Sequence, residues 1–177
     1  MDSNELKALQ APLKEKYKAQ PESATVILKA EGKVGEGITC KIETGRALIQ
    51  AGLHPATGGD GLSLCSGDLL LEALVACAGV TLKAVATAIG INLKDGKIMA
   101  EGAIDFRGTL GVSKDAPVGF RNVKVTFTLD TDASEEQLAS LIKLTERYCV
   151  VYQTLKNSPD MKVSYSVIEK KSSLAKE

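Results

Sequence analysis

The chain has no tryptophan, a single histidine (His54), three phenylalanines and four tyrosines among its 177 residues. So few aromatics leave little to interleave with a basic patch, and charge offers no patch either. Lys plus Arg and Asp plus Glu both number 22, for a formal net charge of zero. The electrostatic footprint of a nucleic-acid or membrane-surface binder is therefore missing. The four cysteines, Cys40, Cys65, Cys77 and Cys149, form no C-x-x-C pair. With one histidine beside them they lack metal-ligand spacing, so no metal site is expected. The glycines of GLHPATGGDG are not followed by the G-x-x-x-x-G-K-[ST] of a phosphate loop, and no cofactor is expected. The segment MDSNELKALQAPLKEKYKAQ has no apolar h-region. Asp68, Glu72, Lys83 and two glycines punctuate the most apolar stretch, so no membrane span is expected. These absences point to a cytoplasmic protein whose cysteines are thiols rather than structural disulfides.

Hydrophobic residues make up 44% of the chain, enough for one domain with its own core. Residues 1–22 read as an amphipathic helical segment, with Leu6, Leu9, Leu13 and Tyr17 on one face of a helix over 4–19. Residues 23–170 form the domain, and 171–177 a polar tail. Strands are expected over 24–31 and 37–44, joined by the turn-rich GKVGEG, with a third near 46–50. A glycine-rich loop then leads into a long helix within GDLLLEALVACAGVTLKAVATAIG. Further strands are expected over 97–107, 120–130 and 161–169; in the middle one Val123, Val125, Phe127 and Leu129 alternate onto one face. Ser134 opens SEEQ, a capping-box signature for a helix through LASLIKLTERYC. The order of elements reads as α+β with a mainly antiparallel sheet.

Cys77 lies inside the long helix on a stripe with Leu70, Leu74, Thr81, Ala84 and Ala88. Apolar residues wrap nearly all round, so the helix should be buried on most sides. Small residues at Ala73, Ala76, Ala78 and Gly79 would let another helix approach closely. The residues alone leave two readings of Cys77: a small core hydrophobe or a sequestered thiol. It sits too deep in the helix for the N-terminal dipole to activate it, so activation needs a tertiary neighbour. Cys65, beside the expected N-cap Ser66, is a second candidate thiol. Twelve helical residues, roughly 18 Å, keep it from bridging Cys77. His54 is either incidental to its loop or positioned to cap a pocket, bind an anion or modulate a thiolate. A hydrolase built on a cysteine and His54 lacks an identifiable Asp or Asn to orient the base.

GGDGLSLCSGDLLLEALVACAGVTLKAVA, followed some seventy residues later by ERYCVVYQTL, resembles the OsmC family, which includes the organic hydroperoxide resistance proteins. The resemblance implies an OsmC-like α+β fold, with antiparallel sheet wrapped around a long central helix in an intimate homodimer. It implies a peroxidatic role for Cys77 and a resolving role for Cys149. The substrate would be an organic hydroperoxide, alkyl or lipid, and the reductant a dithiol, lipoylated or thioredoxin-like. Hydroperoxide-reducing members place an arginine from the first hairpin beside the thiolate, held by a glutamate. Here that hairpin offers Lys29 and Lys33; Arg46 is the candidate cation, and Asp68 occupies the acidic position. Asp68 equally suits the first turn of a helix through the dipole. The other class of reading is an OsmC-like binding protein with an apolar interface pocket and no turnover.

Overall fold

The computed structural model describes residues 48–111 and 113–167, the strand backbones of Glu31–Val34 and Thr39–Glu43, and some positions between residues 2 and 20. Several of the last are helical, while Leu6, Leu9, Leu13 and Tyr17 lie outside the described residues. The strand expected over 24–31, save Glu31, lies outside the described residues, as does Arg46.

Strand β1 (Glu31–Val34) pairs antiparallel with β2 (Thr39–Glu43), from Glu31↔Glu43 to Val34↔Cys40. Residues 32–34, expected to turn, are therefore strand. β3 (Leu48–Gly52) pairs antiparallel with β2, and the two-residue β4 (Leu64–Cys65) adds in parallel to complete a four-stranded sheet. The connection between β3 and β4 contains a 3-10 turn, Pro55–Thr57. His54 caps it: Nδ1 accepts the Ala56 N–H at 3.0 Å, and the imidazole stacks on Phe106 at 5.0 Å between centroids.

β4 feeds directly into α1 (Ser66–Ile89), 24 residues rich in Leu and Ala, the strongest helix formers. Cys65, not Ser66, is the N-cap and offers no side-chain hydrogen bond. The helix ends at Gly90, whose φ of 75° is the left-handed conformation that terminates helices at little cost to glycine. The Ile91 N–H then reaches back to the Ala86 carbonyl at 2.9 Å, and Ile91 is buried against the helix it closes.

β5 (Leu93–Ile104) and β6 (Phe120–Thr131) form a second, antiparallel sheet. Between them, α2 (Phe106–Thr109) takes up Arg107, which the sequence places at the end of a strand. Asp105 caps this short helix by accepting the Arg107 N–H. In β6 Val125, Phe127 and Leu129 alternate as expected and are half-buried, opposite Ala100, Ile98 and Gly96, whereas Val123, expected with them, is exposed. The capping box at Ser134 is complete, with Gln137 N–H donating to Ser134 Oγ at 3.3 Å and Ser134 N–H to Gln137 Oε1 at 2.9 Å. It opens α3 (Glu135–Tyr148). The expected continuation of this helix through Cys149 does not occur. The chain breaks there, and α4 (Val150–Lys156) begins one residue later.

The core runs along one stripe of α1, where Leu74, Ala78, Leu82 and Ala86 recur every four residues and are at most 3% exposed. Leu141 from α3 and Cys149 from the break close over it. Each fully buried leucine contributes about 1.5–3 kcal/mol. Burial on most sides, however, is not found: Leu70, Ala73 and Ala76 are exposed, and Val80 is 73% exposed. By length and composition α1 is sufficient to cross a membrane, despite its interruptions, although its Leu74–Ala86 stripe is spent on this protein core. The strand expected over 161–169 is also absent from the described part of that range. Met161, Val163, Tyr165 and Val167 alternate as a strand would, but they pair with nothing described and are 80–96% exposed.

Candidate active site

The break at Cys149 creates the site. The first turn of α4 presents the N–H groups of Val150, Val151 and Tyr152, which have no acceptor within their own helix. Cys149, as N-cap, supplies no side-chain hydrogen bond to them in the usual way. The two sulfurs lie at this turn: the N–H groups of Val151 and Val150 favour ionisation of Cys77, and those of Tyr152 and Val151 favour it at Cys149. Cys77 packs against Cys149, and the Cys149 thiol and the hydroxyl of Thr81, one turn along α1, favour its ionisation further. Cys77 is half-buried and Cys149 only 1% exposed.

These contacts push the two thiols in opposite directions. At Cys77 burial opposes ionisation and is the largest single influence. Together the Val151 N–H, the Cys149 thiol, the Val150 N–H and the Thr81 hydroxyl outweigh it, so Cys77 ionises below the ordinary thiol range. At Cys149 burial raises the value, the Tyr152 N–H offsets part of that, and the adjacent Cys77 sulfur raises it further. One sulfur is therefore disposed to be a thiolate while its neighbour keeps a proton, the pairing a nucleophile and a second-step thiol require.

The other sequence candidates are elsewhere. Asp68 is exposed in the first turn of α1, nine residues and about 13 Å along the axis from Cys77. It borders an open depression with Glu72, Ala76 and Ala100. His54 serves its own turn and is not among the groups bonded to Cys77. Cys65 is a free thiol at the far end of α1. Arg147 lies over the Tyr148 ring at 5.6 Å. Among the described residues, the groups that favour the Cys77 thiolate are all neutral, the N–H groups of Val151 and Val150 among them; Arg46 lies outside the described residues. Sequence reasoning missed Val150, Val151, Tyr152 and the role of Thr81. Thr81 had a usable signal, because a hydroxyl four residues after Cys77 can reach back over one turn. No group of metal-ligating side chains occurs among the described residues.

One cavity reaches Cys149, and a second lies beside it. One of about 170 Å3 is lined by Cys149, Thr145, Glu146, Phe127 and Tyr152 among others. A larger one, about 560 Å3, lies between α1, β6 and α4, against Leu70, Leu74, Phe120, Tyr152 and Leu155. The two share Val123, Val125 and Tyr152. Gly102 helps shape the larger cavity: a Cβ there would stand 2.5 Å from the Phe120 ring, so only glycine lets that ring lie flat across β5. The larger cavity can hold an apolar molecule, and the smaller one is bordered by the Cys149 sulfur.

In structure the chain is similar to an OsmC-like protein from Mycoplasma pneumoniae, at 16% identity and a TM-score of 0.64 over 75% of this chain and 89% of that one. It is similar to an organic hydroperoxide resistance protein OsmC from Legionella pneumophila, at 19% identity and a TM-score of 0.60 over 81% and 99% of the two chains. The organic hydroperoxide resistance protein from Elizabethkingia anophelis, with thiocyanate bound, gives 14% identity and a TM-score of 0.62 over 76% and 92%. No curated protein matches in sequence. Residues 58–164, which include α1, both thiols and α4, match the profile of the OsmC-like proteins. The fold is OsmC-like, and the chain belongs to that family.

Proposed function

We propose that this protein is a thiol peroxidase for organic hydroperoxides, with Cys77 as the attacking and Cys149 as the resolving thiol. The observation that carries the reading is the packing of Cys77 against the buried Cys149 at the first turn of α4, where Cys77 is the thiol that ionises more readily. Two of the structural relatives are organic hydroperoxide resistance proteins. In the first step the Cys77 thiolate attacks the terminal oxygen of ROOH, the O–O bond breaks, and RO⁻ leaves and takes a proton as ROH. Cys77 becomes a sulfenic acid, the reversible first rung of thiol oxidation. Cys149 then gives up its proton and attacks the Cys77 sulfur, hydroxide leaves as water, and a Cys77–Cys149 disulfide forms. A dithiol reductant, lipoylated or thioredoxin-like, exchanges with that disulfide and restores both thiols. The balance is ROOH plus a dithiol giving ROH, water and a disulfide.

A second copy of the chain belongs to this reading. The uncovered face of α1 bears Leu70, Ala73, Ala76 and Val80, apolar or small and exposed. A homodimer packed through that face would remove it from water. Cys77→Ser should abolish consumption of cumene hydroperoxide; an unchanged rate refutes the assignment. The cavity of about 560 Å3 also favours a second reading, a binding protein that holds an apolar ligand without turnover. In that case all thiols survive cumene hydroperoxide, while an apolar ligand raises the melting temperature.

A further inference from the structure

We propose that Gln153 is a positioning residue for Cys77, its side chain holding open the break between α3 and α4 that sets backbone N–H groups at the thiol. The inference rests on the peroxidase reading and adds a residue to its machinery. Residues 135–156 contain no glycine or proline, so one uninterrupted helix is the simplest outcome for this stretch. In such a helix the Val150 N–H would donate to the Glu146 carbonyl, four residues back. The chain instead breaks at Cys149, whose extended ψ of 106° lets α4 start afresh at Val150. The last bond of α3 runs from the Cys149 N–H to the Thr145 carbonyl, and the first of α4 from the Gln153 N–H to the Cys149 carbonyl, both at 2.9 Å.

The Glu146 carbonyl thereby loses its helical donor, and a part-buried carbonyl left without one is costly. Gln153 supplies the replacement: its Nε2 donates to the Glu146 oxygen at 2.7 Å, seven residues back along the chain. Asn157 Nδ2 donates to Gln153 Oε1 at 3.1 Å, which turns the amide so that its NH2 end faces Glu146. The Gln153 amide and the Val150 N–H are thus alternative donors to one acceptor. With Gln153 on Glu146, the Val150 N–H stays off the helix ladder and, with that of Val151, favours ionisation of Cys77. Without Gln153, an uninterrupted helix satisfies the Glu146 carbonyl from Val150 and takes that donor from the sulfur. The same rewinding would carry Cys149, now 1% exposed and packed against Cys77, around the helix axis.

Iodoacetamide alkylation of Cys77 in the full-length protein, followed by peptide mass spectrometry across pH, tests this without any hydroperoxide. Gln153→Met keeps the length of the side chain and removes its donor. It should slow Cys77 alkylation at neutral pH by about fivefold, the scale of one hydrogen bond, and move the midpoint of the rate–pH profile upward. Alkylation of Cys65, at the far end of α1, should be unchanged. Asn157→Ala should act in the same direction but less, since the amide loses only its orientation. An unchanged Cys77 rate and midpoint in folded Gln153→Met overturns the role; where that variant does not fold, the same result in Asn157→Ala overturns it. A change of equal size at Cys65 also overturns it, because that marks a general loosening. A wild type that leaves cumene hydroperoxide unconsumed, while Cys77 alkylation responds to Gln153→Met as expected, overturns the peroxidase reading alone.

Discussion

Replacing Cys149 with alanine perturbs the site at two stages, and the stages can be measured separately. The change removes a sulfur that is 1% exposed and a thiol that favours ionisation of Cys77. A hydrogen bond to a charged acceptor contributes about 1.5–3 kcal/mol. The S–H group is a weak donor, and Cys77 is only half-buried, so solvent screening reduces the expected loss to about 1 kcal/mol. That corresponds to roughly fivefold less reactive thiolate and a first turnover slowed by the same factor. The later effect is larger, because the sulfenic acid on Cys77 then has no neighbour to condense with. Stopped-flow mixing with cumene hydroperoxide, followed by thiol counting and dimedone labelling, resolves the two stages. One thiol rather than two should disappear per chain, with the dimedone adduct on Cys77. Loss of two thiols in the variant, or undiminished steady turnover with a dithiol, would refute the assignment of Cys149.

Three further outcomes follow from the geometry. Gly102→Ala must displace the Phe120 ring, with which the new Cβ would clash at 2.5 Å. It should lower stability by about 1–3 kcal/mol in a denaturant titration and reduce kcat/KM for bulky hydroperoxides. Asp105 is held at about 2, first by its hydrogen bond from Arg107. Its contribution to stability is therefore complete above the ordinary carboxylate value of 3.8 and is lost as pH falls toward about 2. The stability difference between wild type and Asp105→Asn should be constant at neutral pH and vanish across that interval; a difference independent of pH contradicts the assignment. Val80→Glu places a charge on the exposed face of α1. It should convert the proposed dimer to monomer in analytical ultracentrifugation, with little change in fold by circular dichroism.

Legibility in the sequence tracked how local each signal is. The Ser134 capping box and the alternation in β6 are short-range patterns, and both appear as read, Val123 apart. The paired thiols were legible only through the family motif, because nothing in the spacing of Cys77 and Cys149 predicts that they meet. The break between α3 and α4 carries no glycine or proline, the residues that usually announce one, so the donors it creates were invisible. A buried thiolate calls for a cation, and the candidate Arg46 lies outside the described residues; the backbone N–H groups that also favour the Cys77 thiolate carry no sequence signature. Exposure of α1 and of residues 161–167 marks the opposite limit: apolar periodicity says a face must be covered, not which surface covers it.

The central claim is that the sulfurs of Cys77 and Cys149 act as one redox pair. Non-reducing peptide mapping of the wild-type protein, after one equivalent of cumene hydroperoxide, tests it most directly. The account predicts a single cross-linked pair of peptides containing Cys77 and Cys149, with Cys65 still a free thiol. Recovery of both thiols intact, or of Cys77 as a sulfinic acid beside an unmodified Cys149, would contradict it.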